Sequence, residues 1–302
     1  MTGLDEGAAG KPADPEMDIS VIVVTLARKT LYKLLSGIFS QETDRRFEVI
    51  LILQGELDTS QLKNIDTRGR PLRIIRKPFG LGVGRYRNEG IRQAWGGVLV
   101  FVDDDEWPAD SRWLNDLTGP VFAGNALVTT SGTRIPETGC YLVDCIGLLG
   151  FPGGANLGFE KVWPVTGDGW TDHLCTGNFA FSRKAAVSFN EGLKTGAEDN
   201  DLADRLREKD IRIKYVRSAT IWHVPRQGMA DFIKWHFHRG GAIAEFMRHS
   251  SIGRSHVSGR GRAVVNTISS AWNTRFFPGV CFLLVMQYTV TLCGFFRGMV
   301  RN

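Results

Sequence analysis

Three consecutive carboxylates, Asp103-Asp104-Asp105, end the apolar run VLVFV (98–102). They repel one another, and they stand where an open α/β sheet binds its ligands, beyond the carboxyl ends of its strands. Oxygen ligands spaced i, i+2 suit a hard divalent cation such as Mg²⁺ or Mn²⁺. An acidic turn capping the next helix is the plainer explanation, but a cap needs one acid. A second acidic group, Gly196-Ala197-Glu198-Asp199-Asn200-Asp201, opens a charged helical segment. Acids there complement the helix dipole, yet three exceed that need, and a carboxylate facing a cleft can act as general base. His223, in Ile221-Trp222-His223-Val224-Pro225, follows a short strand. Alone it reads more readily as structural than as a ligand, and so do His236 and His238. The glycines of GLGVGRYRNEGI (80–91) do not have the GxGxxG spacing, so they make a weak phosphate loop, with Arg85 and Arg87 adding positive charge.

Elements must position these groups. DISVIVVT (18–25), FEVILIL (47–53), LRIIR (72–76) and VLVFV (98–102) read as buried strands. They alternate with helical spacing over 30–40 and 86–95, so a parallel sheet covered on both sides is expected. Further on, helices are expected at 110–118, 198–209 and 231–249, strands at 126–132 and 211–216, and a Gly/Pro-rich loop at 147–158. Phe232, Trp235, Ala242 and Phe246 share a helical stripe with Arg239. An arginine there needs an anionic partner, either an internal acid or a ligand phosphate.

The net charge of +5 is unevenly spread. Residues 1–17 hold one base and four acids, residues 18–233 hold 27 of each, and residues 234–302 hold nine bases and one acid. The first 17 residues read as a disordered tail without a signal peptide. Five cysteines without a CxxC pair read as reduced thiols in the cytosol, not as a zinc site. From Phe276 to Phe296 the chain carries no formal charge, with Arg275 and Arg297 at either end. A helix of that length is about 30 Å long, enough to cross a bilayer core. Spanning the membrane, lying in its interface and packing as a buried helix or dimer contact all stay open. Arg254, Arg260, Arg262 and Arg275 favour the two membrane readings. Nucleic-acid binding is disfavoured, because the basic segment adjoins an apolar run and not an aromatic-studded groove.

The order SVIVVT, GLGVGRYRNEGIRQAWGGVLVFVDDDEWP, TGNFAFSR (176–183), GAEDNDLADRL (196–206) and IWH resembles a family 2 glycosyltransferase over about residues 18–245. The resemblance implies the GT-A fold, a Rossmann-like α/β domain with a mostly parallel sheet. Residues 246–302 then form a C-terminal membrane-associated extension. It implies that Asp103 and Asp105, completed by His223, hold Mn²⁺ or Mg²⁺, and that Asp199, with Glu198 beside it, supplies the catalytic base. Arg87 and Asn88 match the family's donor-site pair, and Thr25, Gln54 and Asp104 fall at donor-site positions. Arg239 would bind donor phosphates or a phosphorylated lipid acceptor. Gly177, Asn178 and Trp113 match acceptor-side positions, and Trp170 lies in the loop 134–176 expected to set specificity. Where the family has Pro-Thr-Tyr-Asn and paired aspartates, this chain has Val24-Thr25-Leu26-Ala27 and Leu53-Gln54-Gly55. The Gln-x-x-Arg-Trp motif of processive synthases is missing, which favours single-sugar transfer. The resemblance thus implies a metal-dependent, inverting transfer of sugar from a nucleotide-sugar donor to a saccharide or lipid-linked acceptor. The expected place is the cytoplasmic face of a membrane, in polysaccharide, lipid-linked oligosaccharide or glycolipid synthesis. The rivals are a sugar nucleotidyltransferase, which would release pyrophosphate, and a non-catalytic membrane-bound partner.

Overall fold

The computed structural model describes residues 17–56, 58, 60–194, 196–249 and 260–300. The expected N-terminal tail (apart from its last residue, Met17) and Arg254 lie outside the described residues, as does the side chain of Arg260.

The chain begins with strand β1 (Ile19–Thr25), helix α1 (Leu31–Phe39), β2 (Phe47–Gln54), β3 (Leu72–Lys77), α2 (Val83–Gln93) and β4 (Val98–Asp103). These four strands pair in parallel in the order β3-β2-β1-β4. β1, β2 and β4 are largely apolar because they are buried on both faces, as in other parallel sheets, whereas the edge strand β3 carries Arg73, Arg76 and Lys77. Next come β5 (Glu106–Pro108), α3 (Trp113–Phe122), β6 (Val128–Thr130), β7 (Thr133–Arg134), α4 (Tyr141–Gly147), α5 (Phe159–Val162), β8 (Trp170–Thr171) and β9 (Asn178–Ser182). After these follow α6 (Glu198–Glu208), β10 (Ile213–Tyr215), β11 (Ile221–His223), α7 (Met229–His249), α8 (Arg260–Ala271) and α9 (Phe277–Val300).

The main sheet has eight strands in the order β3-β2-β1-β4-β9-β6-β10-β8. The expected parallel sheet is present but not uniform, since β9 runs antiparallel to both β4 and β6. NFAFS supplies Phe179 and Phe181, which stack on Phe101 of β4 at centroid distances of 4.8 and 5.7 Å. One large core fills the side of the sheet covered by α1 and α3. Another fills the side covered by α2 and α6.

A second, three-stranded sheet, β5-β11-β7, was not foreseen. Its strands are two or three residues long, too short for alternation to register in a sequence. Its register sets His223 opposite Glu106, and the Val224 N–H donates to the Asp105 carbonyl at 2.9 Å. The small sheet therefore delivers His223 to the three aspartates.

The boundary expected at 245–246 falls inside α7. Helix α9 lies along α7 and shares a core with α4, where Val280, Leu283 and Leu284 meet Cys145, Ile146, Leu149 and Phe232. The C-terminal helices are thus joined to the body of the fold.

Candidate active site

Parallel pairing sets Val24 at the end of β1 beside Asp103 at the end of β4. The chain beyond both strands is then pinned by one carboxylate. Asp104 Oδ2 accepts from the Thr25 hydroxyl at 2.8 Å and from the Leu26 N–H at 3.0 Å. Its carbonyl accepts from the Thr30 hydroxyl at 2.6 Å. Burial raises the Asp104 carboxyl above its usual range, against the pull of Arg28 and the Thr25 hydroxyl. Thr25 and Asp104, expected at the donor, are buried and satisfy each other, so they shape the loop.

The flanking aspartates stay more open, with side-chain exposures of 38% for Asp103 and 21% for Asp105. Asp103 Oδ1 accepts from Arg87 Nη2 at 2.8 Å, and Arg87 Nη1 reaches Glu198 Oε1 at 2.6 Å. The Arg87 guanidinium is buried, yet Asp103 and Glu198 outweigh that burial and hold its pKa above the ordinary value. Arg28 approaches Asp105 at 2.5 Å and Asp104 at 3.0 Å. Beneath them Glu106 is buried and accepts from the Asp103 N–H at 3.3 Å. Burial, reinforced by the charges of Asp103 and Asp105, pushes its carboxyl well above the usual range.

His223 Nδ1 lies 2.6 Å from the Val224 carbonyl oxygen, which can only accept, so Nδ1 carries the proton. Nε2 then faces Asp105, 3.6 Å from Oδ1. A ring nitrogen anchored on its far side and set beside a carboxylate suits a divalent cation. Among the described residues no group of three or more His, Cys, Asp and Glu side chains closes into a metal cage. Asp103 and Asp105 are instead each turned to an arginine, since two neighbouring carboxylates draw in the nearest cations.

These groups open onto a cleft of about 510 Å³ that also takes in Gln54, Glu198, Asp199, Asn200, Arg226, Trp235, His238 and Arg239. Ala197, at φ 65°, turns the chain into α6 so that Glu198 and Asp199 begin the helix at the cleft. Glu198 is committed to Arg87, whereas Asp199 forms no ion pair among the described residues. Asp199 Oδ1 accepts from the Asn200 N–H at 2.8 Å. Arg239 lies over the Phe151 ring at 4.0 Å and 5.2 Å from the Trp235 centroid, while Arg226 stacks on Trp235 at 4.9 Å. The aromatic stripe on α7 therefore aims two guanidinium groups into the cleft. Burial lowers the Arg226 pKa.

Several expected contacts are not there. Trp113 and Asn178 are wholly buried, and Trp113 Nε1 donates to Asn178 Oδ1 at 3.0 Å. The Asn178 amide donates to the carbonyls of Gly132 and Ala219 at 3.0 and 2.8 Å, so neither residue has a group left for an acceptor. Gly177 packs on Glu106, whose carboxylate would collide with any Cβ there. Trp170 is on the sheet's outer strand β8, beneath Arg212 and Lys214 and away from the cleft. Asn88 joins α2 to the segment before α6, bonding the Phe189 N–H and carbonyl and Glu191 Oε1. Sequence reasoning missed Arg28 and Arg226. A cation three residues past a strand that ends at the carboxyl edge was the available signal for each.

A family model described as glycosyl transferase family 2 matches residues 20–186. No curated protein sequence matches the chain. Among solved structures, the mannosyltransferase PcManGT of Pyrobaculum calidifontis, in complex with GDP-Man and Mn²⁺, is similar over 96% of this chain and 89% of its own, at 15% identity and a TM-score of 0.62. S. aureus TarS 1-349 in complex with UDP-GlcNAc is similar over 91% of this chain and 82% of its own, at 17% identity and a TM-score of 0.55. GalNAc-T7 with UDP, GalNAc and Mn²⁺ is similar over 90% of this chain and 57% of its own, at 14% identity and a TM-score of 0.55. The family match spans more than half of the chain, and these structures share its fold; the chain belongs to glycosyl transferase family 2 and is a glycosyltransferase of the GT-A fold.

Proposed function

We propose that the protein moves a single sugar, with inversion, from a nucleotide-sugar donor to a hydroxyl acceptor presented at a membrane surface, and that it requires a divalent cation. The observation that carries this reading is that Asp199 faces the same cleft as Asp103, Asp105 and His223. GDP-Man and UDP-GlcNAc in the similar structures support the donor class, and Mn²⁺ in two of them supports the cation.

Asp103, Asp105 and His223 would hold the cation, which would offset negative charge gathering on the departing nucleoside diphosphate. Arg226 and Arg239, braced on Trp235 and Phe151, contribute fixed positive charge for the phosphates. Asp199 takes the proton of the acceptor hydroxyl as its oxygen attacks the anomeric carbon on the face opposite the leaving group. Gln54, at the end of β2 and on the cleft, would meet the donor. The catalytic part comprises residues 18–245 together with the remainder of α7.

The test is thermal stabilisation by a panel of sugar nucleotides, with and without Mn²⁺, on the wild type and on Asp105→Ala, followed by analysis of the released product. A cation-dependent shift with one donor, lost in the variant, and release of a nucleoside diphosphate are expected. Release of pyrophosphate would identify a nucleotidyltransferase. A folded protein that responds to no donor would overturn the reading.

A further inference from the structure

We propose that helix α9 lies flat in the surface of an anionic bilayer, held along one side by α7, and does not cross the membrane. Its 24 residues would make about 36 Å of helix, so length alone permits a span. Its surroundings argue otherwise.

The helix is mainly apolar and has two different faces. Val280, Leu283, Leu284, Gln287, Thr291 and Gly294 are turned into the protein. Phe282, Val285, Tyr288, Leu292, Phe296 and Met299 are exposed, Val285 at 67% and Phe296 at 58%. At about 100° per residue these six positions fall within an arc of about 120°. A soluble helix ordinarily carries polar residues on that side.

The inner face cannot be freed cheaply from α7. A Cβ on Gly294 would strike the carbonyl of Phe237, and one on Gly240 would strike the carbonyl of Thr291. A Cβ on Gly298 would come within 2.8 Å of the Ala244 Cβ. Near the start of both helices Phe232 shares a core with Val280 and Leu284. The two helices therefore run side by side in the same direction along most of their length. Helix α7 carries Asp231, Lys234, Arg239, Glu245 and Arg248. Were α9 to span, α7 would enter the hydrocarbon with it, and each of these charges would be heavily penalised near the bilayer centre. Lying flat places only the exposed stripe of α9 in the apolar layer and leaves α7 in water.

Charge selects a lipid surface over a second copy of the chain. Residues 234–302 hold nine bases and one acid, so two such segments repel each other while anionic headgroups attract them. Arg275 and Arg297 stand near the two ends of the helix, each over an aromatic ring, Phe276 at 4.8 Å and Phe237 at 5.4 Å.

One face of α7 meets α9 through Phe237, Gly240, Gly241 and Ala244. Another lines the cleft through Trp235, His238, Arg239, Ala242 and Ile243. The cleft therefore opens about one helix diameter, roughly 10 Å, from the lipid-facing helix. Resting on the glycosyltransferase reading above, this suits an acceptor carried on a lipid headgroup.

The experiment uses the full chain with vesicles of phosphatidylcholine alone or mixed with phosphatidylglycerol. Sedimentation with the anionic vesicles, release by alkaline carbonate, and at least roughly tenfold weaker binding by the Val285→Glu/Leu292→Glu double variant are expected. Both positions are exposed, so the variant should keep the wild-type unfolding transition, which is checked. Retention through carbonate would mean a spanning helix. Equal binding by the variant, or a dimer in solution that the variant dissociates without any vesicle binding, would also overturn the proposal. Stabilisation by sugar nucleotides, measured on the same samples without vesicles, reports separately on the catalytic reading.

Discussion

The guanidinium of Arg87 lies 2.6 Å from the carboxylate of Glu198, joining residues 111 positions apart. With its second bond, to Asp103, it ties the start of α6 to the end of β4. The two acids that open α6 are thereby separated in role. Glu198 is a counter-ion that fixes the helix, and Asp199 is left to the cleft.

The two carboxylates should therefore respond differently to loss of charge. Asp199→Asn is expected to lower kcat by about 10²–10⁴-fold while leaving stabilisation by the donor intact. Glu198→Gln weakens a charge-assisted bond to a buried arginine and should cost about 1–3 kcal/mol in denaturant unfolding. Steady-state kinetics beside urea melts of both variants check this. Loss of activity confined to Glu198→Gln would reverse the assignment.

Arg28 reaches Asp105 at 2.5 Å and competes there with any bound cation. Burial works against its charge, but Asp105, Asp104 and Asp103 raise its pKa overall, so the competitor is always charged. Arg28→Ala is expected to bind Mn²⁺ several-fold more tightly in the absence of nucleotide, by removing that counter-ion. Titration calorimetry measures it, and unchanged or weaker Mn²⁺ binding would count against the competition.

Trp113→Phe separates a structural role from an acceptor role. It removes the bond that Asn178 Oδ1 accepts in a fully buried setting. Stability should fall by about 1–3 kcal/mol, with the KM for acceptor unchanged once the protein is folded. A raised acceptor KM with normal stability would restore the position to the acceptor site.

His236 is buried between Phe232 and Trp235, and its pKa falls to about 3, through burial first and then the charges of Arg239 and Arg226. In the unfolded chain it titrates near the ordinary value of 6.5. Between those values the unfolded state binds the extra proton, so this histidine's contribution to stability is lost as pH falls below about 6.5. The loss amounts to about 2 kcal/mol between pH 7 and pH 5. Subtracting the melts of His236→Leu from those of the wild type across that range isolates it. Parallel curves would show that His236 takes up its proton equally in the folded and unfolded states and would overturn the lowered pKa.

The first four strands and their helices are legible in the sequence because parallel strands buried on both faces are written as near-continuous apolar runs. The three aspartates and the acidic start of α6 are legible for a related reason. Like charges side by side have no purely structural economy, so their spacing speaks of ligands. What the sequence cannot display is which partner each polar side chain takes. Trp113, Asn178, Asn88 and Thr25 occupy the expected positions, yet tertiary packing satisfies their hydrogen bonds inside the protein, away from any substrate.

The short strands β5, β7 and β11 carry no periodicity of their own and exist through pairing with one another, so only the folded chain could bring His223 to Asp105. Helix α9 makes the same point for the membrane. Composition determines that it is long and apolar enough to cross. The close contacts of Gly240 and Gly294, which bind it to a charged neighbour, are decided by the tertiary structure, because a helix's surroundings and not its hydropathy set what it costs to move it into lipid.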